Sequence, residues 1–198
     1  MTNSICDACK RVFPPHEEGV HLGAQAEQTV YWCISCFNQE VAQGAGLEFQ
    51  TPQFSPVTLR DSNDEPHVFH FLTRLCPTGV IIEAYEVIDD KRQGYEFYYL
   101  CENPMVESLH LLQTVLDRAN RMLAKQHIQS SRWGHRLTRD KVVRGRIVSH
   151  ELSSPSGGLP SVIIDGKELS WNEVGQLLGA EGGHQLKLQI IDPVDDND

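Results

Sequence analysis

The chain lacks both a long hydrophobic run and an excess of positive charge. No apolar stretch approaches the roughly 20 residues that span a bilayer, so we expect no transmembrane helix. The first seven residues hold no basic stretch followed by an apolar one, so we expect no secretory signal and a cytoplasmic location. The 17 basic and 27 acidic residues give a net charge of −10. This balance argues against a nucleic-acid-binding surface that covers the whole protein.

The common catalytic motifs are also missing. The sequence contains no Ser-His-Asp order, no phosphate-binding glycine loop and no His-Glu-x-x-His motif. Its 40% apolar and 22% charged residues are typical of a globular protein. We therefore favour a protein that is not an enzyme, with an enzyme of unidentified class as an alternative.

Four of the six cysteines form two Cys-x-x-Cys pairs, Cys6 with Cys9 and Cys33 with Cys36. Each pair places two thiolates on one side of a tight turn. Two such turns supply the tetrahedral four-sulfur shell of structural zinc, and a closed shell leaves no open position for catalysis. Iron in an all-sulfur shell is the alternative metal.

The remaining cysteines and two histidines offer alternatives to this metal site. His16 or His21 could replace one thiolate as a ligand. A thioredoxin-type redox role is less favoured, because neither pair has the βαβ context of that fold. Cys76 and Cys101 are interpreted as small buried hydrophobic residues.

Residues 1–46 are predicted to form the metal module. Short strands are expected at 19–23 and 28–32, and a helix at 37–43 that ends at Gly44. A cysteine turn, a hairpin and a second cysteine pair that opens a helix are typical of a treble-clef-like finger. A ribbon-like finger, with the second pair between strands, ranks second. So few residues cannot bury a sufficient core, so metal binding should drive the folding of this module.

Residues 47–130 are predicted to form an antiparallel meander packed on a long amphipathic helix. The expected strands cover 57–61, 68–75, 80–88 and 95–100. The helix should begin with Asn103 as its N-cap and Pro104 at its first position. On a strand, His67 and His70 would point to opposite faces, so they would not share a metal.

Residues 131–198 are predicted to hold a basic segment, a β-hairpin, a short helix, a final strand and an acidic tail. Asp165-Gly166 indicates a two-residue hairpin turn. Ser170 and Glu173 form a capping box at the start of the helix. Residues 185–190 alternate between apolar and polar, which predicts the final strand. The predicted fold class is therefore α+β.

A basic segment interrupts the acidic chain between Arg121 and Arg146. It holds eight basic residues and one acidic residue, so it carries a charge of +7 and leaves −17 to the rest of the chain. We interpret it as a solvated face or as a set of internal ion pairs, and alternatively as a weak, salt-sensitive contact with nucleic acid. The candidate contact residues are Arg132, Trp133, Arg136, Arg139, Arg144 and Arg146.

Four parts of the chain carry a resemblance to known families. They are the two cysteine pairs, residues 66–71, residues 143–147, and residues 164–175 followed by 186–190. In this combination the chain resembles uncharacterised bacterial proteins of domain-of-unknown-function families. The resemblance implies an N-terminal four-cysteine zinc finger followed by an α+β body, and it implies no activity. Those families have an aromatic residue after the last glycine, where this chain has His184.

Together, these patterns predict a zinc-binding, non-enzymatic adaptor or regulatory protein that binds another macromolecule, with a protein as the preferred partner. The alternative is nucleic-acid binding through the finger and the arginine-rich segment 121–146.

Overall fold

A computed structural model describes residues 3–23, 30–132, 134–150 and 158–194. Within these ranges the chain forms three helices and thirteen strands, and all strand pairs are antiparallel. The fold is therefore a mixture of helices and antiparallel sheets, as the sequence predicted. No helix in the described part of the chain is long and apolar enough to cross a membrane.

The N-terminal part consists of two small hairpins and one helix. Its elements are β1 (Ser4–Ile5), β2 (Val12–Phe13), β3 (Val20–Leu22), β4 (Val30–Trp32) and α1 (Ile34–Ala45). The helix begins directly after Cys33, three residues earlier than predicted. Gly46 ends it in the left-handed conformation, with a φ of 65° that glycine adopts without strain.

The central sheet has the strand order β5-β6-β7-β8, which is a simple meander. The strands are β5 (Val57–Arg60), β6 (Pro66–Cys76), β7 (Gly79–Ile88) and β8 (Lys91–Cys101). The last strand starts four residues before the predicted one. The reason is a tight turn at Asp89 and Asp90, which both have positive φ and place Ile88 opposite Lys91. Aspartate tolerates this conformation better than most residues do.

One face of the sheet packs on helix α2 (Ser108–Leu123). The shared core contains Phe69, Ile82 and Phe97 from the sheet and Val115 and Leu123 from the helix. Burial of such side chains is the main favourable term in folding.

The start of α2 differs from the prediction. The helix begins at Ser108 rather than at Pro104, and Glu107 holds the N-cap position. Asn103 caps a turn instead, since its side-chain oxygen accepts a hydrogen bond from the Met105 N–H at 3.0 Å. Leu109 fits the apolar spacing of a core-facing helix, but it lies in the first turn of α2 and is 74% exposed.

The C-terminal part contains β9 (Ile128–Ser131), β10 (Gly134–Leu137), β11 (Arg146–Val148), β12 (Ser161–Ile164), β13 (Lys167–Ser170) and α3 (Trp171–Gly179). Strands β9 and β10 form a hairpin that the sequence analysis did not predict. The Asp165-Gly166 turn and the Ser170–Glu173 capping box both form as predicted.

The predicted final strand at 185–190 is wrong. This segment has no strand pairing in the described part of the chain, and Leu186, Leu188 and Ile190 are each 71–73% exposed. Alternation indicates a strand only where another strand offers hydrogen bonds and a covered apolar face. The segment follows the turn that ends α3 and does not reach a sheet edge.

Candidate metal centre

The first cysteine turn lies between β1 and β2. The Lys10 N–H donates to the Cys6 carbonyl at 2.9 Å, and Lys10 adopts a φ of 61° that turns the chain back sharply. Cys6 is fully buried and Cys9 is exposed. The short hairpin therefore holds both sulfurs on one side, as the spacing predicted.

The second pair lies at the N-terminus of α1. Cys33 is the N-cap residue with extended backbone, and its carbonyl accepts the Phe37 N–H at 3.1 Å. Cys36 lies in the first turn of the helix. The free N–H groups and the dipole at a helix N-terminus favour negative charge, which suits thiolate ligands.

The structure brings the four predicted cysteines together. All four Sγ atoms lie within 4.8 Å of one another, and the Cys9 and Cys33 sulfurs are 3.8 Å apart. A tetrahedral shell with Zn–S bonds of about 2.3 Å has sulfur–sulfur edges of about 3.8 Å. The arrangement is therefore compact enough to hold one metal ion.

The electrostatics of the cluster fit a cation at its centre. Burial raises the pKa of the Cys6 thiol, but backbone N–H donors, among them that of Cys33, outweigh burial and lower this pKa to about 6. Burial raises the pKa of both Cys33 and Cys36, and neighbouring sulfurs raise that of Cys36 further. Four adjacent thiols cannot all ionise without a compensating charge, and a divalent cation supplies it.

Hydrogen bonds outside the cluster hold the two turns against each other. The Tyr31 N–H donates to the Asp7 carboxylate at 2.7 Å, and the Asp7 N–H donates to the Tyr31 carbonyl at 2.8 Å. The Tyr31 hydroxyl in turn accepts the Gly19 N–H at 2.9 Å. Such outer contacts fix the positions of metal ligands.

Neither His16 nor His21 belongs to the sulfur cluster. The His16 ring packs on His70, with centroids 5.1 Å apart, and His21 packs on Tyr31 at 4.5 Å. The four cysteines are thus the only group of this kind that the described residues form.

Helix α1 connects the cluster to the central sheet through Asn38, which is fully buried. Strand β5 pairs only with residues 66–69 of β6, so the rest of β6 would have an open edge. The Asn38 side chain forms hydrogen bonds with the backbone of this open edge. Its Nδ2 donates to the Thr73 carbonyl, its Oδ1 accepts the Leu75 N–H, and both distances are 2.8 Å. A side-chain amide thus replaces a strand partner two residues after Cys36, and no sequence pattern predicted this contact.

A buried ion-pair network that no sequence pattern predicted lies on the sheet face opposite α2. Arg92 lies over the Tyr85 ring at 4.0 Å and binds Glu83 at 2.8 Å and Glu18 at 3.2 Å. Its Nε lies 3.6 Å from Glu96. The carboxylates raise the pKa of Arg92 although burial alone would lower it. The residue patterns of β7 and β8 do not indicate that the Arg92 side chain, at the start of β8, would cover the Tyr85 ring of β7.

The arginine-rich segment divides into two groups. Arg146 binds the Glu96 carboxylate at 3.2 Å and so extends the buried network. Arg132, Arg136 and Arg139 are exposed and form no ion pair with any acidic residue in the described part of the chain. Arg144 is half-buried and makes an interaction. The candidate Trp133 lies outside the described residues.

The remaining titratable candidates do not form a site together. His67 and His70 lie on opposite faces of β6, as predicted: His67 binds Glu86 at 2.7 Å, whereas His70 packs on Tyr85. Cys76 and Cys101 are half-buried, and the Cys76 thiol donates to the Gly79 carbonyl at 3.3 Å.

Two family models match the chain. Residues 50–124 match a model described as Domain of unknown function (DUF7686), and residues 127–195 match one described as Domain of unknown function (DUF7713). The chain is similar to both families, and the two ranges meet between α2 and β9. No curated protein and no solved structure has significant similarity to the chain.

Proposed function

We propose that this protein is a zinc-stabilised, non-enzymatic adaptor or regulatory protein that binds another protein. The proposal depends mainly on the cluster of Cys6, Cys9, Cys33 and Cys36, whose four sulfurs would fill a tetrahedral shell. A metal in such a shell has no open position for substrate, so its role is structural. Soft thiolate ligands favour zinc, with iron as the alternative. We place the protein in the cytosol, where thiols stay reduced.

The order of elements supports a treble-clef-like finger. A cysteine turn comes first, the β3–β4 hairpin follows, and the second pair opens α1. With only short strands, this module gains much of its stability from the metal. Since α1 also closes the edge of β6 through Asn38, the metal would stabilise one border of the central sheet as well.

The finger also offers a surface for a protein partner. Ile5 and Val12 pair across β1 and β2, and they are 58% and 54% exposed although both are aliphatic. Apolar side chains that are exposed next to each other on a surface can form part of a protein contact site. We propose that this pair, held by the metal, contacts the partner.

Elemental analysis of protein purified without chelator tests the metal. We expect about one zinc per chain in the wild type and in Cys76→Ser, and a loss of zinc in Cys9→Ser. Cys9 is exposed, so its substitution removes a ligand with little change in packing, and Cys76 is a control outside the cluster. Wild-type protein without stoichiometric metal, or Cys9→Ser with undiminished metal, would contradict the proposal.

Partner binding is tested by affinity capture and titration of the captured protein. The double variant Ile5→Lys/Val12→Lys should lose binding and keep its zinc. Val68→Lys serves as the control, because Val68 is also exposed but lies on the central sheet. Equal binding by both variants would contradict the assigned surface.

Nucleic-acid binding is the second candidate, because Arg132, Arg136 and Arg139 are exposed and unpaired in the described part of the chain. A mobility shift on DNA and RNA at low salt tests it. If these residues contact phosphates, Arg136→Glu/Arg139→Glu should abolish the shift, and rising salt should weaken it steeply in the wild type. No shift at low salt would remove this candidate.

A further inference from the structure

Residues 185–191 form an exposed segment with the sequence pattern of a strand. Leu186, Leu188 and Ile190 alternate with Lys187 and Gln189, so an extended backbone would place the three apolar side chains on one face. These three side chains are 71–73% exposed. In the described part of the chain the segment has no strand partner. Its backbone groups are therefore available for pairing with a sheet edge.

The same chain has an edge that suits this segment. Strand β11 ends the sheet β11-β12-β13, and no other described strand lies outside it. Ile147 in β11 is 50% exposed and lies opposite Val162, which pairs with Leu169. Val162 and Leu169 belong to the apolar cluster beneath this sheet. A strand added outside β11 would therefore place apolar side chains beside Ile147 and extend the cluster.

We propose that residues 185–191 of one copy add as an antiparallel strand to the β11 edge of a second copy, and reciprocally. The product is a two-fold symmetric dimer, in which donor and acceptor are present in each chain. This self-association is independent of the adaptor role and of the surface at Ile5 and Val12.

The position of the segment within its own chain argues for a second copy. Lys141 binds Glu181 at 2.6 Å and lies 3.3 Å from His184. The segment therefore starts beside Lys141, five residues before β11, and from this position it would run parallel to β11 if it paired with its own edge. That direction would carry Asp192 away from the basic residues before β11.

Charge favours the antiparallel arrangement with a second copy. There the end of the segment reaches the residues that precede β11, which include the exposed Arg139 and the half-buried Arg144. The segment is followed by Asp192, and the sequence continues with three more aspartates. Opposite charges would thus lie together, and this complementarity fixes the direction of pairing.

Sedimentation equilibrium of the full, metal-loaded chain over about 5–500 µM tests the dimer. We expect the mass to rise from 22.3 kDa towards twice that value. Leu188→Lys should weaken association at least tenfold. Gln189→Lys adds the same charge at the neighbouring position on the other face and should still dimerise. A wild type that stays at 22.3 kDa throughout would overturn the proposal. Equal dimerisation of both variants would do the same.

A mixture of unlabelled and ¹⁵N-labelled protein tests whether the partner is a second copy. After equilibration, a carbodiimide couples the Asp192 carboxyl at the end of the segment to the Lys141 amine before β11, and mass spectrometry reads the isotopes of the two peptides. We expect mixed pairs for about half of the products in an equal mixture, as random exchange between two copies requires. Products that join only peptides of the same isotope would overturn the proposal, because the end of the segment would then lie beside Lys141 of its own chain.

Discussion

Replacing Asn38 by alanine should weaken the contact between the N-terminal module and the central sheet. The Asn38 side chain is the partner of the Thr73 carbonyl and the Leu75 N–H, both at 2.8 Å, and it is fully buried. Alanine would leave both backbone groups without a partner in a place that water does not reach. Each such group costs about 1–3 kcal/mol, so we expect a loss of about 2–6 kcal/mol.

The assay is thermal and urea unfolding of metal-loaded protein at matched concentration. A chain of this length loses about 2–4 °C in Tm per kcal/mol, so Asn38→Ala should melt at least about 4 °C lower. Hydrogen exchange adds a local measurement, since the Leu75 amide should lose protection before those of β7. Gln39→Ala is the matched control, because Gln39 is the next residue, carries an amide and is exposed. The reasoning is refuted if Asn38→Ala melts within 1 °C of the wild type and the Leu75 amide stays protected.

Three other changes test the remaining contacts. Arg92→Met should lower stability by about 3–5 kcal/mol in urea unfolding because it leaves buried carboxylates unpaired, and a loss no larger than that of Arg136→Met, at an exposed site, would contradict this. Hydrogen bonding to Glu86 raises the folded-state pKa of His67. The stabilising contribution of protonated His67 is therefore complete below about pH 6.5 and is lost as the pH rises through the higher folded-state pKa. The free energies of unfolding of wild type and His67→Gln should differ more at pH 6 than at pH 9, and a difference that does not change with pH would contradict this prediction. Ser170→Ala should cost about 1 kcal/mol by removing the cap of α3, and unchanged unfolding would show that the capping box contributes little.

The four-cysteine cluster could be predicted from the sequence because the geometry of each pair is largely local. Two residues between paired cysteines are enough to place both sulfurs on one side of a turn. The same holds for the Asp165-Gly166 turn and for the capping box of Ser170 and Glu173, since each depends on contacts within four residues. Local backbone geometry and neighbouring side chains specify such features without contacts from the rest of the chain.

The incorrect predictions concern features that depend on packing between distant parts of the chain. Asn103 has the chemistry of an N-cap, but its side chain caps a turn and the helix begins at Ser108. Leu109 fits the apolar spacing, but it lies in the first turn of α2 and is exposed. Spacing along a helix shows which residues share a face, and only the tertiary structure shows how far the covering surface extends.

The sequence by itself therefore determined the two cysteine pairs, the mixture of helix and antiparallel sheet, and several turns. Only the tertiary structure decided that Asn38 hydrogen-bonds to the edge of β6, that Arg92 binds carboxylates from separate segments, and that residues 185–191 pair with no strand in the described part of their own chain. The physical reason is that a buried hydrogen bond or ion pair depends on the position of a partner distant in sequence. No local pattern specifies that position, and it is defined only when the packed elements meet.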